Sequence, residues 1–419
     1  MSYHGKIRTA MNSESSPLDR RTFLRTTALG AVALAGAPRM LARGLGTGLT
    51  PPLPEYHGPN VILIRFGGGV RRRESIADPA NTWCPYLLKE LVPRGVFYPR
   101  MEIDQLRDLN TSHGEGTLNL ITGKYVKYVD AAKHRADLEK HLLAARFESA
   151  VPTIFEYLRG AFNVPDHQAI MINGEDRPDE EYYDFSNHHL FGVRFRSQTL
   201  SLRKYKTWLY RNQLGEGKLT ADERKAKAKE LAKFEANDFR TKPGESPGAA
   251  LESFWQRWRE HYGDSGFVNP RGDQLLTALA LRSLKELRPK LMMVSYQDCD
   301  YVHWGYLSHY TNGIRLMDEG IRQLVAAVEA DPEYRDNTVF VIAPDCGRDD
   351  NPFMAVPCQH HFNTRPAHEI FALVFGTGIA RGQIVDKLTQ QISVAATIGK
   401  LMGFTPKFAE APVLGEVFA

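Results

Sequence analysis

The sequence predicts an α/β fold with a mostly parallel central sheet and helices on both faces. Two apolar runs, Leu291–Tyr296 and Thr338–Ala343, are typical of strands that are buried on both faces. Between them, Ile314, Met317 and Ile321 recur at the spacing of one face of a helix. A buried strand, an amphipathic helix and a second buried strand predict a βαβ unit, in which the two strands lie parallel.

Further segments extend this prediction along the chain. Asn60–Phe66 predicts a first strand, Gln168–Ile172 a strand in the middle of the chain, and the run that follows His368 a late strand ending at a glycine turn. Ser393–Ile398 is predicted to be helical. Residues from about 126 to 266 are mostly charged and helical in pattern, so we interpret them as a largely helical cap inserted over the edge of the sheet.

The composition excludes some functions. The chain of 419 residues has 53 basic and 49 acidic residues. Residues 1–43 contain seven of the basic and two of the acidic residues, so the rest of the chain has 46 basic and 47 acidic residues. A near-neutral remainder gives no reason to expect nucleic acid as a partner. The four cysteines include no Cys-x-x-Cys pair, so a zinc ribbon has no support either.

The N-terminus looks like an export signal. Leu18–Arg25 resembles the twin-arginine motif, and the weakly apolar stretch Thr26–Ala37 that follows is too short for a membrane anchor. We therefore expect a signal peptide over residues 1–43, a linker over 44–59 and a domain over 60–419. The resemblance implies a periplasmic or other extracytoplasmic protein with no membrane span after signal removal. The alternative is an ordinary N-terminus with a chance arginine pair.

A glycine loop directly follows the first predicted strand. Successive N–H groups of Gly67–Gly69 could form an anion-binding nest, and Arg71 and Arg72 would suit a phosphate or sulfate group. The loop matches neither of the common nucleotide-binding patterns. The alternative is therefore a tight turn with solvated arginines.

A second loop brings hydroxyl groups beside a histidine. Thr111 and Ser112 precede His113 where a helix is predicted to begin, and a helix N-terminus stabilises negative charge on an attacking oxygen. We therefore consider these three residues candidate catalytic groups. The alternative is a helix N-cap without chemistry.

Candidate metal ligands follow the two strands of the βαβ unit. The first strand leads into Asp298, Asp300 and His303, and the second into Asp345 and Cys346. Two histidines, His360 and His361, come shortly after the second group. The carboxyl ends of parallel strands meet at one edge of a sheet, so we expect a divalent metal site there. Polar loop ends without a ligand are the alternative, and Cys346 could instead pair with Cys358 or act as a redox thiol.

These motifs together resemble the alkaline phosphatase superfamily, which includes sulfatases, phosphodiesterases and cofactor-independent phosphoglycerate mutases. Thr111 or Ser112, some ten residues before Thr122-Gly123, resembles its nucleophile segment. Asp300 to Gly305 resembles its Asp/His metal segment, and Asp345 to Arg348 its Asp-His-Gly corner. The resemblance implies an exported, metal-dependent hydrolase of phosphate or sulfate esters.

The chain also departs from that family in ways that affect the metal site. No acidic residue stands at the end of the predicted strand Asn60–Phe66, where the family has one. Cys346 stands where the family has histidine. The spacing between Asp300 and His303 is three residues rather than four. We therefore expect one metal site rather than two, on Asp300, His303 and His361, with Asp298 or His309 as substitute ligands. A thiolate from Cys346 would favour zinc.

The resemblance assigns roles to the candidate residues. Thr111 or Ser112 would attack the ester, the metal would polarise it, and Arg71, Arg72 and Arg348 would bind substrate oxygens. The partner would then be a small anionic ester. The alternative is a non-catalytic relative that serves as a binding or structural subunit of an exported complex, with a partner protein in place of the substrate.

Overall fold

The computed structural model describes residues 52–103, 113–125, 149, 151–173, 191–237, 244–267, 272–303, 305–351, 353, 356, 358–360 and 364–418. Residues 53–419 cluster as one compact unit. Most of the predicted signal peptide and linker, together with Thr111, Ser112 and His361, therefore lie outside the described residues. The described part contains the following strands: β1 (Asn60–Arg65), β2 (Gly95–Glu102), β3 (Ala169–Ile172), β4 (Gln198–Leu200), β5 (Leu291–Ser295), β6 (Thr338–Ala343), β7 (Glu369–Gly376), β8 (Gln383–Ile384) and β9 (Thr389–Gln390).

Helices connect and cover these strands. The described part contains the following α-helices: α1 (Arg72–Ser75), α2 (His113–Thr122), α3 (Ile154–Ala161), α4 (Leu202–Glu216), α5 (Ala221–Asn237), α6 (Ala249–Tyr262), α7 (Asp273–Glu286), α8 (Leu307–Ala330), α9 (Arg365–His368) and α10 (Ser393–Met402). A 3-10 turn over Asp298–Val302 joins β5 to α8. No helix of the described residues combines the length and the apolar character that crossing a membrane requires.

The strands form one mostly parallel sheet in the order β4-β3-β5-β1-β6-β7-β2-β8, with β9 also paired to β2. The first strand lies in the middle and runs parallel to both neighbours, so that Val61 stands opposite Leu291 on one side and Val339 on the other. Only β7 runs against its neighbours β6 and β2. The predicted fold class is confirmed.

Alternate residues of β1 belong to two different core layers. Ile62 and Ile64 pack in the layer that includes residues of α4, α6, α7 and α8. Val61 and Leu63 pack in the opposite layer, with residues of α2, α3 and α10. Because both faces of the strand are buried, its sequence is continuously apolar rather than alternating.

The range from 126 to 266 contributes to the sheet as well as to the helices. Its strands β3 and β4 extend the sheet beyond β5 in parallel register. Its helices α4 and α6 bury residues such as Tyr205 and Trp255 in the core layer, whereas α5 is largely exposed. The sequence predicted β3 but not β4.

Candidate functional site

His113 lies between two carboxylates at the carboxyl edge of the sheet. It is the first residue of α2, and its Nδ1 lies 2.7 Å from Asp345 Oδ2, just beyond the end of β6. Its Nε2 lies 2.7 Å from Asp300 Oδ1, in the turn that follows β5. Ionised carboxylates only accept hydrogen bonds, so both ring nitrogens donate and the ring is an imidazolium.

Asp300 is the point on which the other histidines converge. Its Oδ1 lies 2.8 Å from His303 Nε2 and 3.4 Å from His360 Nε2. The ring centroid of His360 lies 4.2 Å from that of His113 and 4.9 Å from that of His303. Three imidazoles and a carboxylate predicted from separate parts of the chain therefore form one cluster.

The charges of this cluster shift its pKa values in opposite directions. Burial alone would lower the pKa of His113, but the carboxylates of Asp345 and Asp300 raise it well above the usual value. Burial would raise the pKa of Asp345, but the imidazolium of His113 and the guanidinium of Arg65 lower it to about 2. The pKa of Asp300 is lowered as well, because the nearby histidines outweigh its burial.

The glycine loop after β1 forms the predicted nest, and the anion that it holds is a carboxylate of the chain itself. The N–H groups of Gly68 and Gly69 point at the Asp345 oxygens over 3.4 and 3.3 Å. Both glycines have positive φ, +78° and +72°, which only glycine adopts without strain. The N–H of Cys346 donates to the same carboxylate over 2.8 Å.

Close packing of α2 against the end of β6 positions His113. A Cβ on Gly116 would lie 2.0 Å from the carbonyl oxygen of Asp345, so only glycine permits this approach. Arg65, the last residue of β1, donates to the Thr117 hydroxyl over 2.7 Å, and its Nε lies 3.9 Å from Asp345. Sequence analysis missed Arg65, although one arginine inside the apolar run of β1 was a visible signal.

Within the described residues, two groups of side chains have ligand atoms close enough to share a metal ion. Asp300, His303 and His360 form one group, and His113, Cys346 and His360 form the other, each with its ligand atoms within 4.8 Å of one another. Two histidines with one carboxylate form a ligand set that zinc uses in hydrolases, with a further position open. The first group therefore fits a divalent cation. Because both groups contain His360, they do not provide two independent sites.

In the metal-free chain, Cys346 is a buried thiol beside His113. Its Sγ lies 3.7 Å from His113 Nδ1 and is fully buried. Burial raises the pKa of the thiol to about 11, which keeps it protonated near neutral pH. All four cysteines are free thiols, including Cys358.

The structure does not bring Asp298 into the cluster. Its Oδ2 accepts the backbone N–H of Asp273 over 3.0 Å at the first turn of α7. In return, the Asp273 carboxylate accepts the N–H groups of Gln297 and Asp298 over 2.8 and 3.1 Å. Asp298 thus joins α7 to the turn after β5.

Two of the predicted substrate-binding arginines are buried in contacts within the chain. Arg71 Nε and Nη2 donate to Glu74 over 2.7 and 2.6 Å, and its Nη1 donates to the carbonyl of Asp349. Every nitrogen of the Arg348 guanidinium donates to a backbone carbonyl, and Gly68 and Gly69 are among the acceptors. Arg72 differs, because its side chain remains 30% exposed.

No family model matches the chain, and no curated protein matches it. Solved structures of the alkaline phosphatase superfamily are similar to it. A superfamily protein from Vibrio parahaemolyticus shows 14% identity and a TM-score of 0.49 over 87% of this chain and 73% of its own. A 2-O GAG sulfatase shows 14% identity and a TM-score of 0.49 over 86% and 74%. The alkaline phosphatase PafA shows 10% identity and a TM-score of 0.49 over 89% and 100%.

These structures come from the superfamily that the sequence motifs resemble. Identities of 10% to 14% with TM-scores just under 0.5 transfer neither an activity nor a substrate to this chain. Its function has to be inferred from its own site.

Proposed function

We propose that this chain is an exported hydrolase of phosphate or sulfate esters, assisted by one divalent metal that Asp300, His303 and His360 hold. The observation that carries the proposal is the convergence of the two histidines on Asp300 Oδ1, over 2.8 and 3.4 Å. Imidazole and carboxylate donors suit zinc. When bound there, such a cation supplies Lewis acidity toward an ester oxygen.

The chain's own residues account for the other requirements of the reaction. Thr111 or Ser112 supplies the attacking hydroxyl, because both immediately precede His113 in the chain. The hydroxyl oxygen bonds to phosphorus or sulfur while the bond to the alcohol oxygen breaks, and the hydroxyl proton passes to that leaving oxygen. Water then cleaves the new ester bond, which restores the hydroxyl and releases the inorganic anion. The His113 imidazolium keeps two carboxylates in place beside the reaction.

A variant of His303 tests this proposal. We expect His303→Ala to lose bound metal and to hydrolyse p-nitrophenyl phosphate and p-nitrophenyl sulfate at least about 100-fold more slowly. His309→Ala is the matched control, since His309 is exposed on α8 a few residues later and belongs to neither ligand group. Wild-type metal content and hydrolysis in His303→Ala would contradict the proposal.

One observation favours a second candidate, a non-catalytic binding subunit. The carboxylates of Asp300 and Asp345 are already paired with His113, and Arg65 and Arg348 lie within 4 Å of them. Such internal charge balance does not require a metal. Metal-free protein with no esterase activity, recovered in a stable complex with another protein, would support this candidate against the hydrolase.

A further inference from the structure

A cavity lies at the same edge of the sheet as the metal-ligand cluster. Its volume is about 350 Å³, which is within the size range of small-molecule sites. It is located where β2 ends and β7 begins, beside α1 and α9. The residues that line it are Arg72, Arg100, Met101, Glu102, Ile103, Arg365, His368, Glu369 and Leu388.

Two polar atoms of this cavity have no partner among the described residues. His368 is 4% exposed, and its Nδ1 lies 3.1 Å from the carbonyl oxygen of Ile103. A carbonyl only accepts, so Nδ1 carries the proton and Nε2 presents a lone pair when the ring is neutral. Neither His368 Nε2 nor Arg72 Nε makes a hydrogen bond within the described part of the chain. Buried polar atoms usually have a partner, so these two atoms are available to a molecule in the cavity.

The cavity has a positive character. Three arginines line it, against the two carboxylates of Glu102 and Glu369. Glu369 is shared between Arg365, whose Nε lies 2.6 Å away, and Arg72, at 3.6 Å. Among the described residues, Arg100 pairs only with the exposed Asp386, over 3.6 Å. Guanidinium groups of this kind bind carboxylate, sulfate and phosphate groups in a bidentate manner.

We propose that this cavity binds a small organic anion that also carries hydroxyl groups. Arg72 and Arg100 bind its anionic group, and His368 Nε2 accepts a hydrogen bond from a hydroxyl. The anionic group can be a carboxylate or a sulfate, because the arginines bind both.

The backbone links this cavity to the metal-ligand cluster. The N–H of Gly347, two residues after Asp345, donates to the carbonyl of Ala367 in α9 over 2.7 Å. Strands β6 and β2 are two positions apart in the sheet, which corresponds to roughly 10 Å. The anionic group in the cavity would then belong to the same substrate whose ester group lies at the metal site. This step rests on the proposed function.

Direct binding to the metal-loaded protein tests the inference. Calorimetric titration compares glucuronate, which has a carboxylate, with glucose 6-sulfate, which has a sulfate, and with glucose, which has no anionic group. We expect both anions to bind and glucose not to bind. Arg72→Gln should weaken the binding of either anion by at least about tenfold. His368→Gln should also weaken both, and Arg72→Gln remains informative if that buried variant does not fold.

Two further proteins serve as controls. Arg94→Gln removes an arginine that is 34% exposed and pairs with Glu329, outside the cavity, and should change affinity by no more than about twofold. Wild-type protein from which EDTA has removed the metal should still bind glucuronate with unchanged affinity. Glucuronate binding without any hydrolysis or metal would refute only the proposed function. The cavity's assignment would be overturned if Arg72→Gln left the affinity unchanged, if metal removal abolished glucuronate binding, or if the wild type bound neither anion.

Discussion

Two pairs of aspartates lie at the same edge of the sheet, and an imidazolium bridges one pair but not the other. Each pair joins a fully buried aspartate, Asp273 or Asp345, to a partly buried one, Asp298 or Asp300. In the first pair, backbone N–H groups bind both carboxylates. In the second pair, the imidazolium of His113 bridges the carboxylates.

The pKa values reflect this difference. Burial and the charge of Asp298 raise the pKa of Asp273 well above its usual value, although two backbone N–H groups oppose the shift. The pKa of Asp345 is lowered to about 2, because the cations of His113 and Arg65 outweigh its burial. Asp300 of the second pair also lies beside the ring nitrogens of His303 and His360, at 2.8 and 3.4 Å from its Oδ1. Of the two pairs, the second is therefore the one with neighbouring nitrogen ligands for a metal.

The largest difference between the two aspartate pairs should appear in the rate of ester hydrolysis when one member of each pair is replaced. We expect Asp300→Asn to reduce the hydrolysis of p-nitrophenyl esters by roughly 1000-fold, since a charged ligand atom is lost. Asp298→Asn keeps a carbonyl oxygen for the N–H of Asp273 and should stay within about threefold of wild type. Steady-state kinetics on both variants checks this. Equal losses in the two variants would remove the distinction between the pairs.

The second prediction concerns the bridging cation. His113→Gln leaves Asp300 and Asp345 without their shared imidazolium, so we expect the metal-free protein to lose about 3 kcal/mol of unfolding free energy. Urea unfolding in the presence of EDTA measures this loss. His261→Gln, on an exposed part of α6, is the control and should be near neutral. An equally small effect at His113 would show that the bridge contributes nothing to stability.

The two pairs should also respond oppositely to pH. The folded-state pKa of Asp345 lies below its unfolded value, so its stabilisation is present above about pH 4 and is lost toward pH 2, by roughly 2 kcal/mol. The folded-state pKa of Asp273 is raised, so its protonated form is favoured in the fold and wild-type stability falls as the pH rises from about 4.

Variants of the two buried aspartates separate these contributions. The stability advantage of wild type over Asp345→Asn should shrink as the pH is lowered, and its advantage over Asp273→Asn should shrink as the pH is raised. Urea unfolding of metal-free protein across this pH range measures both. If the stability advantage of wild type over both variants changed in the same direction with pH, the account would be contradicted.

The smallest expected effect concerns the buried thiol. Cys346→Ser changes one atom of a protonated side chain, so we expect about 1 kcal/mol of destabilisation and no loss of metal. Cobalt substitution provides the readout, because a thiolate ligand gives an intense charge-transfer absorption and the Asp300 group gives none. A thiolate band that disappears in Cys346→Ser would assign the metal to His113, Cys346 and His360 instead.

Much of the fold was predictable because the central strands are buried on both faces. The predicted runs correspond to β1, β3, β5, β6 and β7, and the periodic stretch with Ile314 and Met317 corresponds to α8. Strand β2 escaped prediction because Gly95 and Pro99 interrupt its apolar pattern. The strand forms because it pairs with β7, and this pairing exists only in the folded chain.

The residue types of the site could be predicted from the sequence, but the contacts between particular side chains could not. Asp300, His303 and His360 follow strands whose ends meet, so their convergence was foreseeable. The sequence did not predict that Asp298 would cap α7 while Asp300 joins the cluster. The contact of Asp298 with Asp273 and that of Asp300 with His360 each join residues at least 25 positions apart. The pairing of Arg71 with Glu74 had a local signal, since the two are three residues apart.

Elemental analysis of the purified protein after loading with zinc tests the central claim most directly. The proteins to compare are wild type, Asp300→Ala and Asp298→Asn, whose changes lie two residues apart in the chain. The account predicts about one equivalent of zinc in wild type and in Asp298→Asn, and none in Asp300→Ala. A wild-type protein without zinc, or zinc that persists in Asp300→Ala, would contradict it.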